Sequence, residues 1–139
     1  GGSTEVEMTE RKHRIEDALE AVKSAQEEGI IGGGGSSLLR AARSLDNDTE
    51  ALAAMIIQRA CEAPIRQMAD NAGVSADIII KDILQEDEGV GWNFRDNTMV
   101  DLFKAGIIDP AKVTRTALQN AVSCAGTLIT TNYGIIQTG

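Results

Sequence analysis

The chain has 139 residues, 42% hydrophobic and 24% charged, with a formal net charge of −8. That length suits one compact unit, and that balance excludes wholesale disorder and a membrane protein. The acidity works against the Lys/Arg-lined face that grips a nucleic-acid backbone, so nucleic acid is excluded as a partner; a single phosphorylated ligand is not, because backbone N–H groups and a metal ion can hold one without a basic surface.

Aromatic residues are confined to Trp92, Phe94, Phe103 and Tyr133, while Ala, Ile and Leu abound, a composition suited to closely packed helices. The only cysteines, Cys61 and Cys124, each sit in an apolar helical pattern without a Cys or His neighbour. They read as buried free thiols in a reducing compartment. No signal peptide is visible and no apolar run reaches the ~18 residues of a membrane span, which points to a cytosol-like location.

From the N-terminus, "STEVEMTERKHRIEDALEAVKSAQEEG" predicts one long helix. Thr4 and Glu7 have capping-box spacing, Ile15, Ala18, Leu19, Val22 and Ala25 form one buried stripe, and Gly29 is a left-handed stop. Four glycines follow, Gly32 to Gly35. "SSLLRAARSL" then predicts a short helix with Ser36 or Ser37 as N-cap and Leu38, Ala41, Ala42 and Leu45 facing inward. "DNDTE" breaks it. "TEALAAMIIQRACEAPIRQMADNAG" predicts a long, largely buried helix kinked at Pro64 and closed by Gly73.

"VSADIIIKDILQ" predicts a short helix capped by Ser75, and "EDEGVGWNFRDN" a loop or small hairpin. "NTMVDLFKAG" reads as another short helix, ending at Gly106. Asp109 and Pro110 then have the order of an N-cap and first helical residue, ahead of a last helix with Val113, Ala117, Ala121, Cys124 and Leu128 on one face. The β-branched tail "TTNYGIIQTG" reads as an edge strand whose partner lies elsewhere. The expected fold class is therefore all-α with a small β-hairpin and a C-terminal edge strand.

Few residues invite chemistry. Glycines ahead of a helix N-terminus let backbone N–H groups approach a phosphate, although the run lacks the Lys-Ser/Thr of a P-loop and on the residues alone reads first as a hinge or linker. Asp17 stands off the apolar stripe with His13 and Glu20, where an acid can position a metal or a hydrolytic water or simply be solvated. His13, the lone histidine, has no partner that would make it a metal ligand, and no metal-ligating set is predicted. Asn93 can read a base or ribose, or merely shape its loop. Asp109 is first of all a cap.

In order along the chain, "TEVEM", "RIEDAL", "EEGIIGGGGSSLLR", "EAPIRQM", "GIIDPAKVTRTALQNA" and "AGTLITT" resemble the C-terminal part of the GroEL-type chaperonin family, from Thr4 to about Thr131. The pairing of "EEGxxxGGG" with "DPxKVTRxALQ" carries the most specificity. The resemblance implies a fragment of a 60 kDa ATP-dependent chaperone, with residues 1–28 as an intermediate-domain segment hinged at its C-terminal end and residues 29–139 as the C-terminal half of the equatorial ATPase domain. It implies Asp17 as the catalytic acid, and Gly33, Gly34, Asn93, Phe94, Arg95 and Asp109 as nucleotide contacts. The cofactors implied are ATP and Mg²⁺, with K⁺ possible. The partners implied are identical subunits in stacked seven-membered rings, a co-chaperonin lid and unfolded polypeptides. The implied location is the bacterial cytoplasm, or else the mitochondrial matrix or chloroplast stroma. Phe94 and Arg95 depart from the small residues usual in the family, and the chain is shorter around "SLDNDTE". The competing reading is a non-catalytic helical scaffold or assembly module.

Overall fold

A computed structural model describes residues 1–45, 51–131 and 134–138. Its elements run α1 (Glu5–Glu28), β1 (Ile30–Gly32), α2 (Ser36–Arg43), α3 (Ala51–Ala72), α4 (Ala76–Gln85), β2 (Val90–Asn93), β3 (Thr98–Asp101), β4 (Ile108–Pro110) and α5 (Ala111–Thr130). The mostly helical class with a small hairpin is what the sequence predicts. Two compact units form: Gly1–Gly29 with Pro110–Gly139, and Ile30–Asp109.

In the first unit, α1 begins where predicted. Thr4 Oγ1 accepts the Glu7 N–H at 3.1 Å, and the Glu7 carboxylate turns back to the Ser3 N–H at 2.8 Å, one residue earlier than a strict capping box. These bonds, the one from Ser3 Oγ foremost, hold the Glu7 carboxyl below the usual range. Gly29 ends the helix with φ 84° and ψ −170° rather than in the left-handed helical well. The Gly29 carbonyl accepts the Ala111 N–H at 3.0 Å. Arg115 clasps both Glu28 oxygens at 2.7 and 3.0 Å, and Lys112 pairs with Glu27, tying the ends of α1 and α5 together. The predicted apolar faces are not buried: neither helix has a buried residue, Ile15, Leu19 and Val22 are exposed on α1, and Val113 and Leu128 on α5. Cys124 is exposed as well, contrary to expectation. Residues 134–138 carry no regular secondary structure. The expected edge strand is not formed in them, and residues 132, 133 and 139 of that prediction lie outside the described residues.

The core belongs to the second unit. Leu39, Ile65, Ala69, Ile79, Ile80 and Ile83 form one buried cluster, against which Val74, Leu84, Trp92, Phe94 and Met99 pack. Each buried Leu or Ile contributes about 1.5–3 kcal/mol. The inward face of α2 is set by Ser36, Leu39 and Ala42, so the predicted Ala42 is buried whereas Leu38 is half-buried and Ala41 exposed, and Gly35, not a serine, is the N-cap. Gly35 lies at φ 77°, and a Cβ there would stand 3.0 Å from both Ile65 and Met68 on α3. Only the C-terminal half of α3 is buried, at Cys61, Glu62, Ile65 and Ala69, while Leu52, Met55, Ile56 and Ile57 are exposed. Pro64 lies inside this helix as predicted. The predicted break at "DNDTE" lies outside the described residues.

Glu62 is buried between two arginines: Arg43 of α2 meets it at 2.7 Å and Arg66 at 3.0 Å, and Arg66 also reaches Asp77 of α4 at 2.8 Å. Two carboxylates, Glu62 and Asp77, and the two arginines between them thereby fasten three helices.

The predicted helix at 97–106 is not formed. β2 and β3 pair antiparallel, with Trp92 opposite Met99 and Asn93 opposite Thr98, and Asn97 turns the chain at φ 53°. Cross-strand pairing and core contact for Trp92 and Met99 outweigh the short run's weak helical pattern. Leu102 follows at 1% exposure.

Candidate functional site

β1 pairs with β4, and the pairing continues past β1, where the Gly33 N–H donates to the Ile107 carbonyl at 2.9 Å. This brings two segments over seventy residues apart in sequence into backbone contact. A Cβ on Gly33 would lie 3.2 Å from the Ile107 carbonyl and the Ile108 nitrogen, so any side chain there would press the strand backbone back by a few tenths of an ångström. Gly34 sits at φ 65°, and a Cβ there would stand 3.3 Å from the Trp92 carbonyl. The glycine loop is thus enclosed by β4 and by the hairpin.

Each flanking segment carries a predicted site residue next to its contact: Asp109 follows Ile108, and Asn93 follows Trp92. Gly33, Gly34, Asn93 and Asp109 therefore belong to three converging segments. Among the described residues, no backbone carbonyl takes the Gly34 or Gly35 N–H. These amides lie just ahead of α2, where the helix dipole is positive. Ser36 and Ser37 do not cap it: their hydroxyls donate to the carbonyls of Gly33 and Gly32 at 2.8 and 2.7 Å, holding the loop's carbonyls back.

Asn93 shapes its own turn. Its Oδ1 accepts the Arg95 N–H at 2.9 Å and its Nδ2 donates to Asp96 at 3.1 Å. Phe94 is half-buried and packs on the core, whereas the Arg95 side chain is exposed. Asp109 is not the expected N-cap. It lies in β4, Pro110 takes the cap position, and no side chain caps α5, because the chain passes straight from strand to helix. Asp109 keeps solvent access, yet burial pushes its carboxyl above the ordinary aspartate range. Asp17 belongs to the other unit, as an exposed carboxylate on α1.

A residue missed at the sequence level is Leu102. Its Cδ1 would lie 2.8 Å from a Cβ on Gly32 and 2.8 Å from one on Gly91, so both glycines are notches for a single leucine. An open cleft of about 690 Å³, lined by Ile31, Gly32, Ser37, Arg40, Leu102 and Phe103 among others, takes in none of the predicted site residues. It is not the site assembled above. Among the described residues no group of three His, Cys, Asp or Glu is placed to hold a metal, and no helix is long and apolar enough to cross a membrane.

A mostly helical chain whose glycine loop is closed in by a hairpin and a return strand is a chaperonin-type fold. The model of the TCP-1/cpn60 chaperonin family matches residues 1–138, and the chain belongs to that family. It is similar to a solved structure described as "Crystal structure of group III chaperonin in the open state", with a TM-score of 0.72 and 27% identity over 81% of this chain. The match takes in 25% of that protein, so this chain spans about a quarter of its length.

Proposed function

We propose that this chain is the C-terminal part of an ATP-driven chaperonin of the GroEL type, supplying an intermediate-domain segment (residues 1–28) and half of an equatorial nucleotide-binding domain (residues 29–139). The observation that carries this reading is the convergence of the glycine loop, the β2–β3 turn and β4, with backbones so close that a Cβ at residue 33 or 34 would stand 3.2–3.3 Å from neighbouring backbone. The donor set fits a nucleotide: the free amides at residues 34 and 35 suit an anionic oxygen, and the turn at Asn93 to Arg95 and the Asp109 carboxylate suit neutral hydrogen-bonding groups.

Phe94 is engaged with the core, so a contact at this position falls to its backbone. Asp17 is the proposed catalytic acid, since a solvated carboxylate can orient and deprotonate water. ATP with Mg²⁺ supplies the phosphoanhydride whose hydrolysis drives the cycle. The remaining ligands of the metal ion and phosphates belong, in this reading, to the rest of a longer polypeptide, as do rings of identical subunits, a lid and unfolded-protein substrates.

Titration calorimetry tests this at two levels. The 139-residue chain alone should bind MgATP weakly or not at all, and micromolar binding would contradict the half-site reading. In the longer polypeptide, Asp17→Ala should leave binding in place and slow hydrolysis by about 10²-fold or more; unchanged turnover would remove Asp17 from the mechanism. A second reading, a scaffold or assembly module, is favoured by the bare apolar surface of α5 and by Ile135 and Ile136, exposed at 102% and 86%.

A further inference from the structure

Arg40 lies on α2, five residues after the N-cap Gly35. Its guanidinium lies within hydrogen-bond distance of four backbone carbonyls of a distant segment: Nη2, whose two N–H groups are shared among three, reaches Ile83 at 2.8 Å, Asp87 at 2.9 Å and Val90 at 3.0 Å, and Nη1 reaches Glu86 at 3.1 Å. Nε is buried without a partner among the described residues, so the side chain's hydrogen bonding is all spent through its two terminal nitrogens. The carbonyls of Ile83 and Glu86 close α4, where a cation also meets the negative end of the helix dipole. Those of Asp87 and Val90 lie beyond it, in the turn and at the first residue of β2. Among the described residues no other side-chain hydrogen bond joins α2 to this segment.

The geometry points to Arg40 as the positioning residue that holds the β2–β3 turn in register with the glycine loop. The chain of contacts is short. Gly34 and Gly35 lead into α2, Arg40 fastens α2 to Val90, and β2 carries Trp92, whose carbonyl faces Gly34, and then Asn93. Two lips of the site are thus set from one guanidinium without its touching either. A lysine cannot replace it, since a single ammonium nitrogen cannot stand at both positions that the two guanidinium nitrogens occupy among these carbonyls. The role in ligand binding rests on the nucleotide reading above; the mechanical link does not.

Hydrogen-exchange mass spectrometry on the 139-residue chain tests the link with Arg40→Lys and Arg40→Met, melting curves confirming that each variant is folded. Exchange in residues 93–98 and in residues 33–37 should both accelerate, by roughly tenfold or more in Arg40→Met and less in Arg40→Lys, with α1 unchanged. Acceleration confined to residues 84–88 would make Arg40 a helix cap and overturn the proposal. In the longer polypeptide, Arg40→Lys should weaken MgATP binding about tenfold or more, because small misplacements of positioned groups are costly. Equal affinity of variant and wild type would overturn the proposal. Failure of the wild type itself to bind would overturn the nucleotide reading instead, and the exchange result would still decide the role of Arg40.

Discussion

Gly32→Ala adds a single methyl group in the most crowded part of the glycine loop. The new Cβ would stand 2.8 Å from Leu102 Cδ1, 3.4 Å from Ser36 Oγ and 3.7 Å from Ser37 Oγ. Carbon–carbon contacts are comfortable at about 3.5–4.0 Å, so the overlap falls on one leucine methyl. That methyl cannot simply swing away: Leu102 is 1% exposed, and three of its carbons already lie 2.8–3.1 Å from the Cβ position of Gly91. Overpacking of this kind costs about 1–3 kcal/mol, with each kcal/mol lowering the melting temperature of a unit this small by roughly 4–8 °C. Denaturant unfolding followed by the fluorescence of Trp92, the single tryptophan, reads the change next to the affected strand. A Leu102→Ala partner completes a double-mutant cycle. The double variant should be more stable than the sum of the single losses predicts, since the shortened side chain makes room for the new methyl. Stability of Gly32→Ala within about 0.3 kcal/mol of wild type, or strict additivity, would refute the notch.

Other outcomes follow from the same packing. Glu62→Ala leaves Arg43 and Arg66 without their shared carboxylate and should cost about 1–3 kcal/mol by denaturant titration, the lower part of the range reflecting the half-exposed arginines. Asp109 has its folded pKa raised above 3.8 by burial. Its carboxylate therefore opposes folding at neutral pH, an effect relieved as pH falls through the folded pKa and gone below 3.8. Asp109→Asn should accordingly raise the melting temperature at pH 7, with the gain shrinking to nothing in acid. A maleimide should modify exposed Cys124 rapidly and Cys61 slowly, because Cys61 is buried and desolvation raises its thiol pKa; mass spectrometry after partial labelling reads the ratio.

Local signals made the helices legible. Thr4 starts α1, Ser75 precedes α4, and the glycine and aromatic content of residues 87–96 marks the hairpin. What was not legible depends on long-range contact. "NTMVDLFKAG" has a weak helical pattern, and only the pairing of Met99 with Trp92 makes it a strand. The close approach of Gly35 to Ile65, thirty residues away, has no signature in the local sequence around α2. The apolar stripes of α1 and α5 are real periodicities, but among the described residues none of their side chains is fully buried. The candidate site residues followed the same division. Gly33, Gly34 and Asn93 stand out by residue type and motif, whereas Leu102 and Arg40 become visible only once their distant partners are in place.

Pro64 gives α3 a consequence for how the unit comes apart. Its ring has no N–H to offer the Ala60 carbonyl, and the helix changes character around that missing bond: Ile65 and Ala69 are fully buried beyond it, while Leu52, Met55, Ile56 and Ile57 before it are exposed. Helical turns without tertiary cover derive little stability from propensity alone. α3 is thus one rod by geometry and two segments by energy, its C-terminal half opening only with the core and its N-terminal half free to fray at far smaller cost.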